Sequence, residues 1–537
     1  MSDTIVENKS CFQRTIDNIK YLMSDNKFIF PLIVIVLMGY GLAFYLRAIN
    51  TDDLDTWRFY GERNIVAQGR LATYFIHAVL NNYRYNIFFL FFTSTVLLTV
   101  GAIINAAFIK TLLNIDNVFM LALSAGLFVV FPIMWYIQSF LLATFTIGYS
   151  TVLLALANIL FVDFIKTNQK KYIFGSLSLL VVLMSSYELY LFVFLTVNLF
   201  VLLFSLTSQS AFQFNYRQMR KFIISSLAIV VLAVIIERII EIPVQILLDV
   251  YRVSYVDAGS RIMWGSENPI FLIKNLILTL TVRYFLIGLV SPAFFFYLVI
   301  MFLFFIINNS KFKFLLKTLI VLSLFSLSFL FGVAQIERMA LAINYFMMFG
   351  FVYVFISLKN KHIKMVFITF SMIGVFWSAQ EMNDAFEFNY NLFSYEKNQL
   401  EHIAQDISAT YGRNNDIFVY GFIAPPQGMD ALYNMERDSV AGRIALKLDR
   451  MLGTHRFDGF VFITRFYGVR TYTQTLNAWN DQKVRIINHL GNDFGVGNMN
   501  LTSEQSQEFD AMPVFPYNGY FRKFDNVVVV KLTEISN

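Results

Sequence analysis

The sequence predicts a mainly α-helical, polytopic membrane protein of about eleven spans with a carboxy-terminal extracytoplasmic α/β domain. Three observations predict it. Hydrophobic residues fill 57% of the 537 positions and charged residues only 15%, where a water-soluble chain carries about 25% charged residues. Apolar stretches of spanning length recur as far as residue 379 and then stop. The charge balance changes at the same place: residues 1–379 hold 28 Lys+Arg against 17 Asp+Glu, and residues 380–537 hold 14 against 19.

A helix needs about 20 apolar residues to cross a hydrocarbon core of about 30 Å. Stretches that qualify lie near 28–47, 86–108, 117–134, 140–164, 172–187, 188–206, 222–242, 285–307, 314–333, 339–357 and 363–379. Residues 1–27 are polar, and no small-residue cleavage site follows the first stretch. That stretch is therefore expected to stay as an anchor behind a cytoplasmic tail. Lys and Arg collect in cytoplasmic loops. With the amino terminus inside, inner segments hold 17 Lys+Arg, 14 of them Lys, and outer segments hold ten, nine of them Arg. A guanidinium fork suits phosphate and carboxylate, whereas an ammonium is a hydrated point charge. The outer face, with its long loops 48–85 and 243–284, is thus expected to hold an anion. Residues 270–307 exceed one span, yet two spans would put Lys311 and Lys313 outside. An interfacial helix over 270–284, with Asn275, Thr279 and Arg283 four apart, keeps the charge rule.

Residues 380–537 contain no spanning run and hold four of the nine prolines. They read as a helix at 396–411, a strand at 416–421, a helix near 437–450, a strand at 459–464 and a terminal strand at 526–532. This is enough chain for one small α/β domain, which eleven spans would place outside the cytoplasm.

Several function classes are excluded or disfavoured. The single cysteine, Cys11, leaves no intrachain disulfide and no Cys-built metal cage. The five histidines include no pair at metal-ligand spacing. A pI near 9.0 raises nucleic acid, but the basic excess belongs to the membrane part, so no nucleic-acid partner is expected. No phosphate-binding glycine loop, nucleophile elbow or zinc-protease signature occurs. Outer chemistry without ATP or a nucleotide sugar needs a donor delivered by lipid.

The first outer loop carries Asp52, Asp53 and Asp55 close after a membrane helix, followed by Arg58. A carboxylate there is suited to take the proton from a sugar hydroxyl as it attacks. A carboxylate pair also suits a divalent cation such as Mg or Mn held against a phosphate; three solvated acids are the plainer alternative. Further on, Leu71, Tyr74, Phe75, Ala78 and Val79 share one helical face, with Arg70, Thr73 and His77 opposite. This describes an interfacial amphipathic helix, either the floor of a headgroup groove or a positional anchor. Glu188, after Ser185-Ser186-Tyr187 at an outer junction, is a functional candidate because ionisable groups at membrane depth are costly; a turn cap is the alternative. Trp135, Tyr136 and Gln138 suit sugar stacking or an interfacial aromatic belt. Arg338, beside Glu337 in a very short outer loop, suits a lipid-linked phosphate or an ion pair. Arg261, Arg283 and Lys274 extend that anion site. Arg238, between Glu237 and Glu241, reads as a structural ion pair.

Asp52-Asp53…Arg58 after a hydrophobic helix, then Gly69-Arg70 opening an amphipathic helix, resembles the serotype-converting glucosyltransferases of bacteria and their phages. Ser186-Tyr187-Glu188 resembles a Ser-Tyr-Gln stretch of that family, with Glu in place of Gln. Met512-Pro513-Val514-Phe515-Pro516-Tyr517 and the Val-rich strand after it resemble the family's outer domain. The resemblance implies a GT-C fold in the bacterial inner membrane with a periplasm-facing site. It also implies undecaprenyl-phosphate-linked glucose, or another hexose, as donor and an O-antigen or similar surface glycan as acceptor. By the same resemblance an acid of the first loop, Asp53 before Asp52, is the base of an inverting displacement. On this reading Arg70, Arg261, Arg283 and Arg338 face the donor phosphate, and Arg58, His77, Trp135, Tyr187 and Glu188 surround the sugars. The rival readings are a flippase or transporter of lipid-linked sugars, a surface-polysaccharide polymerase or ligase, and a membrane scaffold. The lack of repeat symmetry counts against the transporter, and the long acidic loop against the polymerase.

Overall fold

Each of the eleven apolar stretches contains a helix, and an amphipathic helix precedes the first of them. The structure, a computed structural model, describes residues 9–45, 65–66, 69–81, 87–134, 141–250, 268–270, 272–274, 276, 291–307, 310–326, 341–412, 415–420, 495–496 and 501–532. The chain divides into two units, Met1–Phe44 with Glu62–Asn383 and Tyr45–Gly61 with Asp384–Asn537. The first unit holds α1 (Cys11–Ser24), α2 (Asn26–Tyr40), α3 (Leu71–Asn81), α4 (Ile87–Leu112), α5 (Val118–Val130), α6 (Leu141–Thr167) and α7 (Lys170–Met184). It continues with α8 (Leu189–Ser205), α9 (Tyr216–Leu247), α10 (Pro292–Ile306), α11 (Lys311–Leu324), α12 (Ala342–Ser357) and the start of α13 (Lys361–Tyr411). Among the described residues, four helices are long and apolar enough to cross a membrane alone: Phe88–Leu112, Phe145–Thr167, Tyr216–Leu247 and Lys361–Glu387. The pair α1 and α2, bent by 76°, makes up to five. Length and composition thus license four or five crossings, fewer than the eleven expected, because several apolar helices run only 13 to 17 residues, among them α5 and α8.

Lipid gives helices no hydrophobic reason to associate, so close approach at small residues does the packing. Two helix pairs show it reciprocally. A Cβ on Gly101 of α4 would stand 2.5 Å from Thr151 of α6, and one on Gly148 of α6 would stand 2.8 Å from the Ser94 carbonyl of α4. A Cβ on Gly39 of α2 would stand 2.6 Å from Val130, and one on Gly126 of α5 would stand 2.7 Å from Ile35.

Helix α1 occupies part of the stretch expected to be a polar tail. Ser10 caps it, accepting from Gln13 N, and the carboxylate of Asp163 accepts the N–H groups of Cys11 and Phe12 at 2.6 and 2.8 Å. Those are donors a helix start leaves without partners. Thr15 and Asn18 bond Thr111 at 3.1 and 2.9 Å, so α1 ties together the carboxy-terminal ends of α4 and α6.

The second unit takes the rest of α13, then β1 (Asp416–Tyr420), β2 (Gly495–Val496), α14 (Ser503–Ala511), β3 (Phe521–Phe524) and β4 (Val527–Lys531). The strand order is β2-β1-β4-β3, with β1 parallel to β2 and β4, and β3 antiparallel to β4. Leu400, Ile403, Ala404 and Ile407 of α13 pack on one face of the sheet against Ile417, Val419, Val528 and Val530. Phe509 and Met512 cover the other face at Val529 and Phe524. Burial on both faces explains why β4 reads Val-Val-Val-Val without alternation. The buried ammonium of Lys531 donates to the carbonyls of Phe509, Asp510 and Met512 at 3.4, 3.0 and 2.9 Å, closing the carboxy-terminal end of α14. The expected strands at 416–421 and 526–532 match β1 and β4. The helix expected at 396–411 is the end of the longer α13, which begins at Lys361, and those expected near 437–450 and 459–464 lie outside the described residues.

Candidate functional site

The helix α9 shows how a site is built from a membrane span. Its 32 residues extend about 48 Å, longer than a bilayer core of about 30 Å. Leu232, Ile235, Ile239, Ile242 and Ile246 alternate at three and four residues and are all exposed, an apolar stripe suited to lipid. The buried stripe of the same helix runs Phe222, Ser226, Ile229, Ala233 and then Glu237 and Glu241. An apolar inner face therefore ends in two glutamates one turn apart, followed on the same line by Gln245.

These side chains meet the start of α3. Gln245 Nε2 donates to Glu241 Oε1 at 2.8 Å and to the Val66 carbonyl at 3.3 Å. Val66, Leu71 and Val250 form a small apolar core with Tyr74, Val244 and Leu248 around them. Arg238 pairs with Glu241, whose side chain is buried while the Arg238 head is partly exposed. Glu237 is 2% exposed. Its Oε2 has no hydrogen-bond partner among the described residues.

The turn between α7 and α8 forms the neighbouring wall. Ala72 N donates to the Ser185 carbonyl at 3.0 Å. Thr73 Oγ1 lies 3.2 Å from both Thr146 Oγ1 and Tyr149 OH, and Tyr149 OH donates to Ser186 Oγ at 2.9 Å. This hydroxyl network docks α3 against α6 and the turn. The guanidinium of Arg70 sits 5.1 Å over the Tyr187 ring, a distance at which the ring face attracts a cation. Arg70 Nε is buried without a hydrogen-bond partner among the described residues.

Three of the expected site residues, Arg70, Tyr187 and Glu188, thus come together at one end of the first unit. His77 lies on α3, but its side chain is outside the description. Asp52, Asp53, Arg58, Trp135, Arg261, Arg283 and Arg338 lie outside the described residues, as do Asn275, Thr279 and most of the interfacial helix expected over 270–284. The ion pair expected around Arg238 forms with Glu241. Reading it mostly as a structural ion pair passed over Glu237, which the run of buried positions at three- and four-residue spacing along α9 would have flagged. Among the described residues, no three His, Cys, Asp or Glu side chains group as metal ligands.

A family model described as Glucosyl transferase GtrII matches residues 41–355. That stretch carries residues 48–85, the Tyr187–Glu188 turn, all of α9 and Arg338. No curated protein and no solved structure matches the chain.

Proposed function

The chain belongs to the GtrII glucosyl transferase family, and from that premise we propose that it moves glucose from undecaprenyl-phosphate-glucose to a surface glycan such as O-antigen on the periplasmic face of the inner membrane. The family match over residues 41–355 carries the reading. Helices long and apolar enough to cross a membrane agree with a lipid-borne donor. On this reading the eleven apolar helices cross with the amino terminus inside, in the GT-C manner, and the lysine-rich segments face the cytoplasm.

The transfer is a single displacement. The acceptor hydroxyl oxygen attacks the anomeric carbon while its proton passes to the carboxylate of Asp53, with Asp52 beside it. The bond from that carbon to the phosphate oxygen breaks, and the electron pair leaves on the polyprenyl phosphate. Arginines at the outer end, Arg70 with Arg261, Arg283 and Arg338, stabilise the charge that grows there. The configuration at the anomeric carbon inverts.

Membranes bearing the wild type or Asp53→Asn at matched folded levels test this with labelled undecaprenyl-phosphate-glucose and the host glycan. Transfer by the wild type and loss of about 1,000-fold or more in the variant are expected. A folded wild type that moves no hexose to any surface glycan, while carrying the lipid-linked sugar across vesicle membranes, would replace the transferase with the flippase.

A further inference from the structure

A carboxylate without a partner inside a membrane helix bundle is expensive. An unsatisfied buried acceptor costs about 1–3 kcal/mol when neutral and more when charged, and ionisable residues at membrane depth mark functional paths. Glu237 carries such an oxygen: its Oε2 is buried and has no hydrogen-bond partner among the described residues. Its surroundings say what would satisfy it. Glu241 lies one turn along the same buried stripe of α9, so an anion at Oε2 would stand close to two carboxylates. Arg238, its neighbour in sequence, is engaged by Glu241. The described residues bring no third metal ligand. The group that fits is a neutral hydrogen-bond donor, a hydroxyl. Arg70 adds a second buried group without a partner, its Nε, on the ring of Tyr187. A carboxylate acceptor, a guanidinium donor and an aromatic ring together suit a polyol with hydroxyls on its rim and C–H groups on its faces.

We infer that Glu237 of α9 receives a ring hydroxyl of the hexose being transferred, in a polyol site completed by Arg70 and the Tyr187 ring. The inference rests on the glucosyltransferase reading and names a sugar-binding residue for it. Glu241 is a positioning residue, since it holds Arg238 and Gln245 in place.

Donor binding to the purified full-length protein in detergent tests it, independently of turnover. The probes are undecaprenyl phosphate, undecaprenyl-phosphate-glucose, and donors in which one glucose hydroxyl at a time is replaced by hydrogen. The wild type should bind one of these deoxy donors at least about tenfold more weakly than the glucose donor. Glu237→Gln should bind the glucose donor at least about tenfold more weakly than the wild type does, and should lose discrimination at that same hydroxyl. Undecaprenyl phosphate alone should bind both proteins equally. A Glu237→Gln protein that discriminates among the deoxy donors as the wild type does would overturn the inference. So would equal weakening of every probe, undecaprenyl phosphate included, which is the mark of a structural role. If Glu237→Gln does not fold, Glu237→Asp, which keeps the charge and shortens its reach, is read by the same criterion. A wild type that binds undecaprenyl phosphate but gains nothing from the attached glucose sinks the glucosyltransferase reading itself.

Discussion

Asp163 and Glu237 are both buried carboxylates on apolar helices of the same unit, and they are treated in opposite ways. Asp163, at the carboxy-terminal end of α6, spends both oxygens on the first N–H groups of α1. Glu237, near the carboxy-terminal end of α9, leaves Oε2 without a partner among the described residues. Burial alone therefore does not mark a functional acid. A carboxylate whose oxygens are taken up by backbone donors belongs to the architecture, and one left short of donors is held for something else.

Breaking the satisfied member should produce the largest effect. Asp163→Ala strips one buried and one partly buried N–H group of their acceptor and should cost about 3 kcal/mol, read as a lowered midpoint of thermal unfolding in detergent. Activity per folded molecule should not change. The same rule extends to a buried cation in the second unit. Lys531→Met keeps the side-chain length and removes the donor to three carbonyls; about 2 kcal/mol of stability should be lost, read as faster proteolysis between α13 and β4.

A smaller and pH-dependent effect is expected at Tyr520, whose OH donates to Asp406 at 2.7 Å. Burial, reinforced by the hydrogen bond to the Asp406 carboxylate and by its charge, pushes the phenol above its ordinary range. The folded protein holds that proton more tightly than the unfolded chain, so the contribution is full below about pH 10 and fades as pH rises towards the folded value. Tyr520→Phe should cost about 1 kcal/mol at neutral pH and flatten the loss of second-unit stability between about pH 10 and 11. The smallest effect sharpens the comparison most. Glu237→Gln should leave the unfolding midpoint unchanged or slightly raised, because it removes a buried charge that protein groups do not fully satisfy. A drop as large as that of Asp163→Ala would place Glu237 with the architecture.

Much of this was legible in residues. Apolar length located every long helix of the first unit, and the valines of β4 announced a strand, which the fold buries on both faces. Arg70 and Glu188 were singled out by charge at a helix end and at a turn, Tyr187 by the family resemblance, and the fold gathers all three. Helix α1 was hidden because its buried residues, Cys11, Thr15 and Leu22, are few among polar ones. The stabilising partner that ends its N-terminal turn, Asp163, lies 152 positions away. Glu237 was hidden for a related reason. Arg238 stands beside it in sequence, and a charge with an opposite neighbour looks neutralised until the rotamer is known.

What the sequence determined by itself are properties of single segments: which stretches avoid water, where the helices run, and which charges stand near their ends. These follow from composition and from the 3.6-residue period, which act locally. What only the tertiary structure decided is who satisfies whom. Whether Arg238 turns to Glu237 or Glu241, and whether a carboxylate finds backbone donors as Asp163 does, depends on segments far apart in the chain meeting in a water-poor interior, where a buried polar group is satisfied or exposed as unsatisfied by its neighbours.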